Sequence, residues 1–388
     1  MTIKSNANIR TSCVKNDFEK IKRIKDIQEL ATKTKILNLN LVSLMREVNI
    51  FYMTQHRPKI SVFVLMGGYT SEFDISIKSG TVVCQALDPT RYNIYPCMVT
   101  KEHWFYRDTD GLEHTLDRGS LSIQINDETI RPDVIFNTIH GSPGEDGYIA
   151  ALCTLLNVPQ TSADYYAAAL TFNKRDCLAV LQAHGILCAE SIYCDKGNQP
   201  DFKFVHDRLG LPFFVKPNRA GSSYGISMVC SEDEYIPALE RAFAEDHQIL
   251  IERAISGTEV SVGAYSHLEE PIILTPTEIV PENSFFDLSA KYEGKAQEIT
   301  PARISENTTE TIQKLVRKIY AILEIRGACR ADFIIENGTP YFIELNSTPG
   351  LSEHSLIPQQ AKYSGLSLTE FFDRLIQEAI NHHKNTTK

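Results

Sequence analysis

The sequence predicts an α/β protein whose N-terminal part is built on a parallel sheet. Residues 60–66 are an apolar, β-branched run that ends in Gly67-Gly68, and a helical pattern of apolar residues follows as far as Leu87. Residues 133–137 are a second short apolar run, followed by a loop rich in glycine and polar residues. This order of strand, loop and helix is typical of open α/β sheets, which bind ligands beyond the carboxyl ends of their strands. The GxGxxG pattern is absent, so a dinucleotide-binding Rossmann site is not indicated.

Length and composition are those of a multidomain enzyme without a polyanionic partner. A chain of 388 residues favours two or three domains, and 43% hydrophobic with 23% charged residues is typical of a soluble globular protein. The net charge of -10 gives no electrostatic reason to expect a nucleic acid or an anionic membrane as partner. Nine cysteines without a CxxC pair favour reduced thiols, and no apolar run approaches the roughly 18 residues of a membrane span. We therefore expect a cytoplasmic protein that binds neither nucleic acid nor membrane.

The first 57 residues differ in composition from the rest and are predicted to be an N-terminal extension. They are rich in Lys, Asn and Ile, with helix-like spacing but no strong core pattern, and they lack the features of a signal peptide. Met53 stands shortly before the first convincing strand. Two interpretations remain open: a mis-assigned start, or a loosely ordered extension.

Polar residues follow both predicted strands of the N-terminal part. Glu72 lies where the first loop meets its helix, a position at which an acid also has a purely structural use as a cap. His140 opens the loop after the second strand, where a histidine is as often a structural hydrogen-bonding group as a ligand contact. Both are candidates for ligand binding, each with its structural alternative.

The middle of the chain carries isolated lysines on predicted regular elements. A helix is predicted for residues 168–182, with Lys174 inside it, and a strand for residues 213–217, with Lys216 in a buried-looking position. Residues 218–225 then form a loop of small residues, whose backbone amides can cradle phosphates while flanking lysines bind the phosphate oxygens. The loop lacks the Walker A pattern, and a simple flexible hairpin loop is the alternative.

The segment after the middle part combines a strand, two acids and a long polar stretch. Residues 248–255 are predicted to be a strand, with Glu252 able to accept from an adenine amino group and Glu259 from ribose hydroxyls, although solvated surface acids would look the same. The stretch from 280 to 301 is too long for a structureless connection and is predicted to be a lid or binding loop. A helix with one apolar face is predicted for residues 306–324.

The densest polar chemistry lies in a predicted hairpin near the C-terminus. Because strand side chains alternate between faces, Arg330 and Asp332 share one face of its first strand, and Glu344 and Asn346 share one face of its second. Carboxylate and amide oxygens suit Mg²⁺, and a neighbouring arginine can neutralise an oxyanion. A solvated hairpin face is the alternative, although Asp, Glu and Asn are poor strand formers.

The register of this hairpin decides whether the four side chains meet. A two-residue turn at Asn337-Gly338 would place Asp332 opposite Ile343, whereas a three-residue connection would place Asp332 opposite Glu344. Since a metal site needs the two carboxylates on one face, we expect the three-residue connection, or a bulge with the same effect.

Taken together, these segments resemble the D-alanine-D-alanine ligase family of ATP-grasp enzymes. The resemblance spans roughly residues 58–383, and its signatures recur in order at residues 67–76, 140–147, 215–225, 290–292, 330–332 and 344–356. The chain departs from the pattern at Ala220, where some members have Glu, and at residues 149–151, where Gln-Gly is common. Neither departure touches the chemistry that the resemblance implies.

The resemblance implies a three-domain ATP-grasp architecture. Its expected parts are the extension 1–57, an N-terminal parallel-sheet α/β domain 58–160, a central ATP-grasp domain 161–247, and a C-terminal ATP-grasp domain 248–388 with the lid and the metal site. The implied reaction is the ATP-dependent ligation of two D-alanine molecules to D-alanyl-D-alanine through D-alanyl phosphate, for peptidoglycan synthesis. A D-alanine-D-lactate ligase or another ATP-grasp carboxylate-amine ligase is the alternative. By the same resemblance the enzyme is expected to be a homodimer.

The resemblance also assigns roles to individual residues. Those implied in catalysis are Glu72, Ser222, Tyr292, Arg330 and Gly350. Those implied in binding the two D-alanines are Ile75, His140, Ser355 and Leu356. Those implied in binding ATP are Lys174, Lys216, Glu252, Arg253, Ile255, Glu259 and Lys291. The implied metal ligands are Asp332, Glu344 and Asn346, which would hold Mg²⁺ as two ions, with Mn²⁺ as a substitute.

Overall fold

The N-terminal part is a five-stranded sheet with helices and a separate two-stranded ribbon. The computed structural model of the protein describes residues 58–281 and 296–386. The predictions for residues 1–57, for Lys291 and Tyr292 and for the middle of the lid lie outside this range. The elements of the first part, in chain order, are β1 (Ile60–Gly67), α1 (Phe73–Ala86), β2 (Tyr92–Val99), β3 (Trp104–Arg107), β4 (Glu113–Thr115), β5 (Ile123–Ile125), β6 (Glu128–Ile130), β7 (Val134–Asn137) and α2 (Tyr148–Leu155).

The predicted parallel sheet is confirmed. Its strand order is β4-β3-β2-β1-β7, and β1 runs parallel to both β2 and β7. Strands β3 and β4 add an antiparallel edge, and β5 and β6 form a separate two-stranded ribbon, none of which the sequence pattern indicated. The two strands recognised in the sequence are therefore neighbours. Their carboxyl ends place the loops that carry Glu72 and His140 side by side.

The middle part is a four-stranded antiparallel sheet with its own core. Its elements are α3 (Tyr165–Phe172), α4 (Lys174–Ala183), β8 (Ser191–Asp195), α5 (Phe202–Leu209), β9 (Phe213–Pro217), β10 (Ser227–Val229), α6 (Tyr235–Glu245) and β11 (Gln248–Arg253), in the sheet order β10-β9-β11-β8. Strand β11 begins at Gln248, where the sequence analysis placed the start of the last domain, yet it pairs with β8 and β9.

The single helix expected at residues 168–182 is two helices. Asn173 separates α3 from α4, because its extended backbone interrupts the helix and its side chain accepts from the backbone N–H of Asp176 as an N-cap. Lys174 is thereby the first residue of α4 rather than a position inside a helix. This break puts the lysine at a helix end, where its side chain reaches the polar hairpin described below.

The C-terminal part is a larger antiparallel sheet covered by helices. Its elements are β12 (Thr258–His267), β13 (Glu270–Ile273), β14 (Thr277–Pro281), β15 (Ala296–Ile299), α7 (Glu306–Ile322), β16 (Ala328–Glu336), β17 (Thr339–Asn346), α8 (Leu356–Tyr363) and α9 (Leu368–Thr386), with the sheet order β15-β14-β12-β16-β17 and β13 beside β12. The predicted amphipathic helix is confirmed as α7, which buries Ile312, Val316 and Ile319. The ends of the expected lid are the paired strands β14 and β15.

The first and last parts of the chain share one apolar core. Phe136 of β7 packs edge-on against Phe372 of α9, with ring centroids 5.6 Å apart. At the start of β2 the Tyr92 hydroxyl donates to the carboxylate of Asp373, which also pairs with Arg91 at 2.7 Å. Helix α9 therefore fixes the N-terminal sheet to the C-terminal part. Among the described residues, no helix combines the length and the apolar composition needed to span a membrane.

Candidate active site

The polar hairpin is formed by β16 and β17, with a bulge that brings its side chains together. The turn has only two residues, Asn337 and Gly338, which both adopt positive φ (51° and 79°) as tight hairpin turns require. The register then shifts between Asp332 and Phe333, so that Asp332 stands opposite Glu344. The three-residue connection is therefore wrong, and the bulge, the other route to the same pairing, is confirmed.

On the face that results, the charged groups of the hairpin contact one another. The Arg330 guanidinium donates to Asp332 at 2.7 Å and lies 4.0 Å from Glu344. The Asn346 amide lies 3.4 Å from each of these carboxylates, and Ser261 of β12 donates to Asp332 at 2.6 Å. Arg330 and Asp332 are only 9% and 7% exposed, which excludes a solvated hairpin face. Two carboxylates and one amide on a partly dry surface are a donor set that fits Mg²⁺.

A lysine from the middle part reaches this hairpin. Lys174 lies 3.4 Å from the Glu344 carboxylate and donates to the carbonyl of Ala220 at 2.7 Å. It connects the small-residue loop after β9 to the polar side chains of the β16–β17 hairpin. A phosphate bound between loop and hairpin would find this ammonium within reach.

The second lysine is held by an acid on the neighbouring strand. Lys216 of β9 donates to Glu252 of β11, and both side chains are buried, at 8% and 3% exposure. Lys216 also lies over the ring of Phe214, 5.5 Å from its centroid. The adjacent Arg253 pairs with Glu336 at 3.3 Å. The surface-solvation alternative for Glu252 is therefore excluded.

Glu72 does not serve as a helix cap. Although it precedes α1, its side chain makes no capping hydrogen bond. Instead it is 5% exposed and accepts from the hydroxyl of Ser222, 150 residues away in the small-residue loop. A Cβ at Gly221 would lie 2.7 Å from the Glu72 carboxylate, so a larger residue there would displace this side chain. The structural alternative for Glu72 is therefore excluded, and the loop is packed against the site.

His140 is buried, at 4% exposure, and its Nε2 lies 3.3 Å from the hydroxyl of Ser79 in α1. Five residues along the chain, Glu145 accepts from the Gly141 backbone N–H at 3.1 Å. Burial, and then the negative charge of Glu72, raise the pKa of Glu145 to about 8. Ser79 and Glu145 were not singled out from the sequence. A signal existed for both: Glu145 lies in the polar loop after β7, and Ser79 lies on the buried face of α1.

One cavity of about 1110 Å³ joins these groups. The predicted site residues that line it are Glu72, Ile75, His140, Lys216, Ser222, Glu252, Arg253, Ile255, Glu259, Arg330, Asp332, Glu344, Asn346, Gly350, Ser355 and Leu356. Lys174 reaches the same place through its contact with Glu344. Lys291 and Tyr292 lie outside the described residues. Glu278 and Glu298, which sequence reasoning did not single out, also line the cavity.

Comparison with known proteins identifies the family. The family model described as D-ala D-ala ligase N-terminus matches residues 61–163, and the one described as D-ala D-ala ligase C-terminus matches residues 181–377. A D-alanine-D-alanine ligase of Flavobacterium johnsoniae is 49% identical over 82% of this chain and 99% of that protein. One from Christiangramia forsetii is 45% identical over 83% of this chain and 99% of its own length.

Solved structures agree with this result. The D-alanine-D-alanine ligase of Coxiella burnetii superimposes with a TM-score of 0.76 at 25% identity, covering 85% of this chain and 97% of that one. The VanG D-Ala:D-Ser ligase of Enterococcus faecalis gives 0.74 at 28% identity, covering 83% and 100%. The ATP-grasp expectation is confirmed by these neighbours, and the chain belongs to the D-alanine-D-alanine ligase family.

Proposed function

We propose that the cavity binds ATP and two D-alanine molecules next to one another and holds them with the residues described above. The enzyme ligates D-alanine to D-alanine, in the ATP-dependent reaction that supplies peptidoglycan synthesis. The observation that carries the assignment is the meeting, in one cavity, of the hairpin cluster around Arg330 with the wall formed by Glu72 and His140.

ATP is assigned to the side of the cavity lined by the middle sheet. Glu252 and Arg253 end β11, and Ile255 lies two residues further on. These three residues would clasp the adenine, with Glu259 accepting from the ribose. The buried contact between Lys216 and Glu252 supports this, because it holds the ammonium group at the cavity wall. Lys174 and Lys216 would bind phosphate oxygens, together with Lys291 of the lid.

Mg²⁺ is assigned to the hairpin cluster, as two ions that Mn²⁺ can replace. Asp332, Glu344 and Asn346 would hold it, and the small number of protein ligands suits an ion that keeps waters and shares phosphate oxygens. When bound, the metal supplies positive charge against the phosphates that react. Arg330, already in contact with both carboxylates, stays beside the reacting oxygens as a second positive charge.

The two D-alanines are assigned to the remaining walls. Glu72, linked by hydrogen bonds to Ser222 and Tyr292, would orient the ammonium of the first D-alanine, with Ile75 and His140 beside it. Ser355 is the N-cap of α8 and Leu356 is its first residue, so both lie at a helix N-terminus, a suitable place for the carboxylate of the second D-alanine. Arg330 and the Gly350 backbone N–H would donate to the developing oxyanion.

The chemistry follows from the poor reactivity of a carboxylate. An oxygen of the first D-alanine attacks the γ-phosphorus of ATP, which releases ADP and leaves D-alanyl phosphate. The neutral amine of the second D-alanine then adds to the acyl carbon, and the tetrahedral oxyanion is stabilised by Arg330 and Gly350. Collapse breaks the carbon to phosphate-oxygen bond and gives dipeptide, phosphate and a proton. Water must be excluded, since it would hydrolyse the acyl phosphate.

The proposal also covers cellular location, domain boundaries and oligomeric state. We place the enzyme in the cytoplasm, where its substrate and ATP occur, and keep three domains, with the boundary between the second and third moved to the end of β11 because that strand pairs in the middle sheet. We also propose a homodimer. Neighbouring helices α2 and α3 support it by exposing Leu155 and Tyr166 (84% and 64%), apolar surface that a second copy would bury.

The proposal is tested by measuring phosphate release from ATP with D-alanine, D-lactate or L-alanine supplied separately. Release with D-alanine alone is expected. Glu344→Gln removes a charge at the metal position without changing volume, so turnover should fall at least ~10²-fold while adenine-nucleotide affinity is retained. As a control, Glu310→Gln alters an exposed acid of α7 that pairs with Lys314, and it should leave turnover unchanged. Wild-type turnover in Glu344→Gln at saturating Mg²⁺ would place the metal elsewhere.

A further inference from the structure

Ser79 connects two parts of the site that lie on different loops. Its hydroxyl oxygen accepts from the backbone N–H of Leu351 at 3.1 Å, and it lies 3.3 Å from Nε2 of His140. Leu351 directly follows Gly350, whose N–H is assigned to the oxyanion. The helix α1, the loop after β7 and the loop before α8 therefore meet at one serine, which has no exposed surface.

The hydrogen-bond capacity of a serine fixes the direction of these bonds. A hydroxyl has a single proton to donate and two lone pairs to accept with. Leu351 N–H occupies one lone pair, and because Ser79 is fully buried, bulk water is not an acceptor for its proton. Within residues 58–281 and 296–386, the other group in hydrogen-bond contact with Ser79 Oγ is His140 Nε2. If Nε2 were protonated, the buried hydroxyl proton would have no acceptor there, which is unfavourable.

We propose that Ser79 is a positioning residue that holds His140 as a neutral imidazole with its proton on Nδ1. Nε2 then accepts from Ser79, and the imidazole serves the site as a hydrogen-bond donor rather than as a base. The same serine holds the Leu351 amide, so it ties the ring to the segment that carries Gly350. This inference rests on the proposed place of His140 beside the first D-alanine.

The tautomer is measured directly by ¹⁵N NMR of the full-length protein labelled at histidine, with the His140 signals identified by their loss in His140→Asn. In the wild-type protein we expect an unprotonated Nε2 and a protonated Nδ1. In Ser79→Ala the preference should be lost, with a large share of the Nε2-protonated form. A wild-type spectrum with the proton on Nε2 overturns the inference, and so does an unchanged tautomer in Ser79→Ala.

Ser76→Ala is the matched control. Ser76 lies one turn earlier in α1, has no exposed surface, and uses its hydroxyl to donate to the Thr138 carbonyl at 2.9 Å and to accept from Gly67 N–H at 2.8 Å. The Ser76→Ala variant loses as many hydrogen bonds as Ser79→Ala, but it should leave the His140 tautomer unchanged. A tautomer shift in this control would mean that general loosening of α1 is responsible, which overturns the specific role of Ser79.

Kinetics separate this inference from the proposed role of His140. Ser79→Ala should raise the KM of the first D-alanine about tenfold, with a smaller effect on the KM of ATP. The expected tautomer change combined with unchanged D-alanine kinetics would refute the role of His140 at the substrate while supporting the hydrogen-bond direction. If Ser79→Ala does not fold, the wild-type spectrum alone decides.

Discussion

Glu145 should make the stability of the protein depend on pH in an unusual window. Its carboxyl is buried beside Glu72 and has a pKa raised from 4.5 to about 8. Between these values it is protonated in the folded protein and ionised in the unfolded chain, so the folded state binds more protons. Its contribution to stability is therefore fully present below pH 4.5 and is lost as the pH rises towards 8.

The size of the effect follows from the linkage of one proton. The free energy of unfolding should fall with pH by at most about 1.4 kcal/mol per pH unit inside the window, and less near its ends. Glu145→Gln has nearly the same shape and keeps an oxygen for the Gly141 N–H, but it has no carboxyl to titrate. The variant should therefore become steadily more stable relative to wild type as the pH rises.

The assay is urea unfolding of both proteins from pH 5 to 7.5 without added divalent cation, so that only groups of the protein contribute. Glu190→Gln, which changes an exposed acid paired with Arg208, is the control and should run parallel to wild type. Parallel curves for Glu145→Gln and wild type would refute the reasoning, since they would mean that Glu145 ionises alike in the folded and unfolded states.

Three further changes test the lid, the extension and the shared core. Tyr292→Phe removes a lid hydroxyl expected to bond with Glu72 at ~1–3 kcal/mol, so D-alanyl-D-lactate should increase relative to dipeptide when both acceptors compete; equal product ratios would mean that Tyr292 does not select the acceptor. A chain that starts at Met53 should retain melting temperature and turnover, and an insoluble or inactive product would show the extension to be structural. Phe372→Ala should lower the free energy of unfolding by about 3–5 kcal/mol, whereas Phe204→Ala, at a half-exposed site, should change it little.

The sequence predicted the chemistry of the hairpin better than its geometry. Alternation along two strands was enough to group Arg330 with Asp332 and Glu344 with Asn346, and the structure confirms both pairs. The sequence indicated that a bulge, or a longer turn, was needed to bring the carboxylates together, but it did not show where a bulge would lie. Its position depends on how the two strands pair and not on a local residue pattern. The break at Asn173 did have a local signal, an N-cap residue with an acid three positions on, and it was missed.

Strands without an apolar run were harder to predict. Strand β2 contains Pro96, which argues against a strand inside a sheet because proline has no N–H to donate. The structure accommodates it since β3 pairs with β2 only from Cys97 onward, so residue 96 needs no donor on that side. The short strands β4, β5 and β6 have three residues each, too few for a periodic pattern to be recognised.

The arrangement of cores explains how distant residues come to line one cavity. Phe136 and Phe372 belong to a single core that joins the N-terminal sheet to α8 and α9, so the wall with Glu72 and the loop with Gly350 are held in fixed relation. The middle sheet has a separate core of its own, built from β8 to β11 with α5 and α6. Its loop meets the N-terminal part through the hydrogen bond from Ser222 to Glu72. A polar contact of this kind can break and re-form far more readily than an apolar core, so adjustment of the cavity to its ligands is expected where this loop meets the N-terminal part. Towards the C-terminal sheet the middle part is held by a shared apolar core, to which Leu250 of β11 contributes.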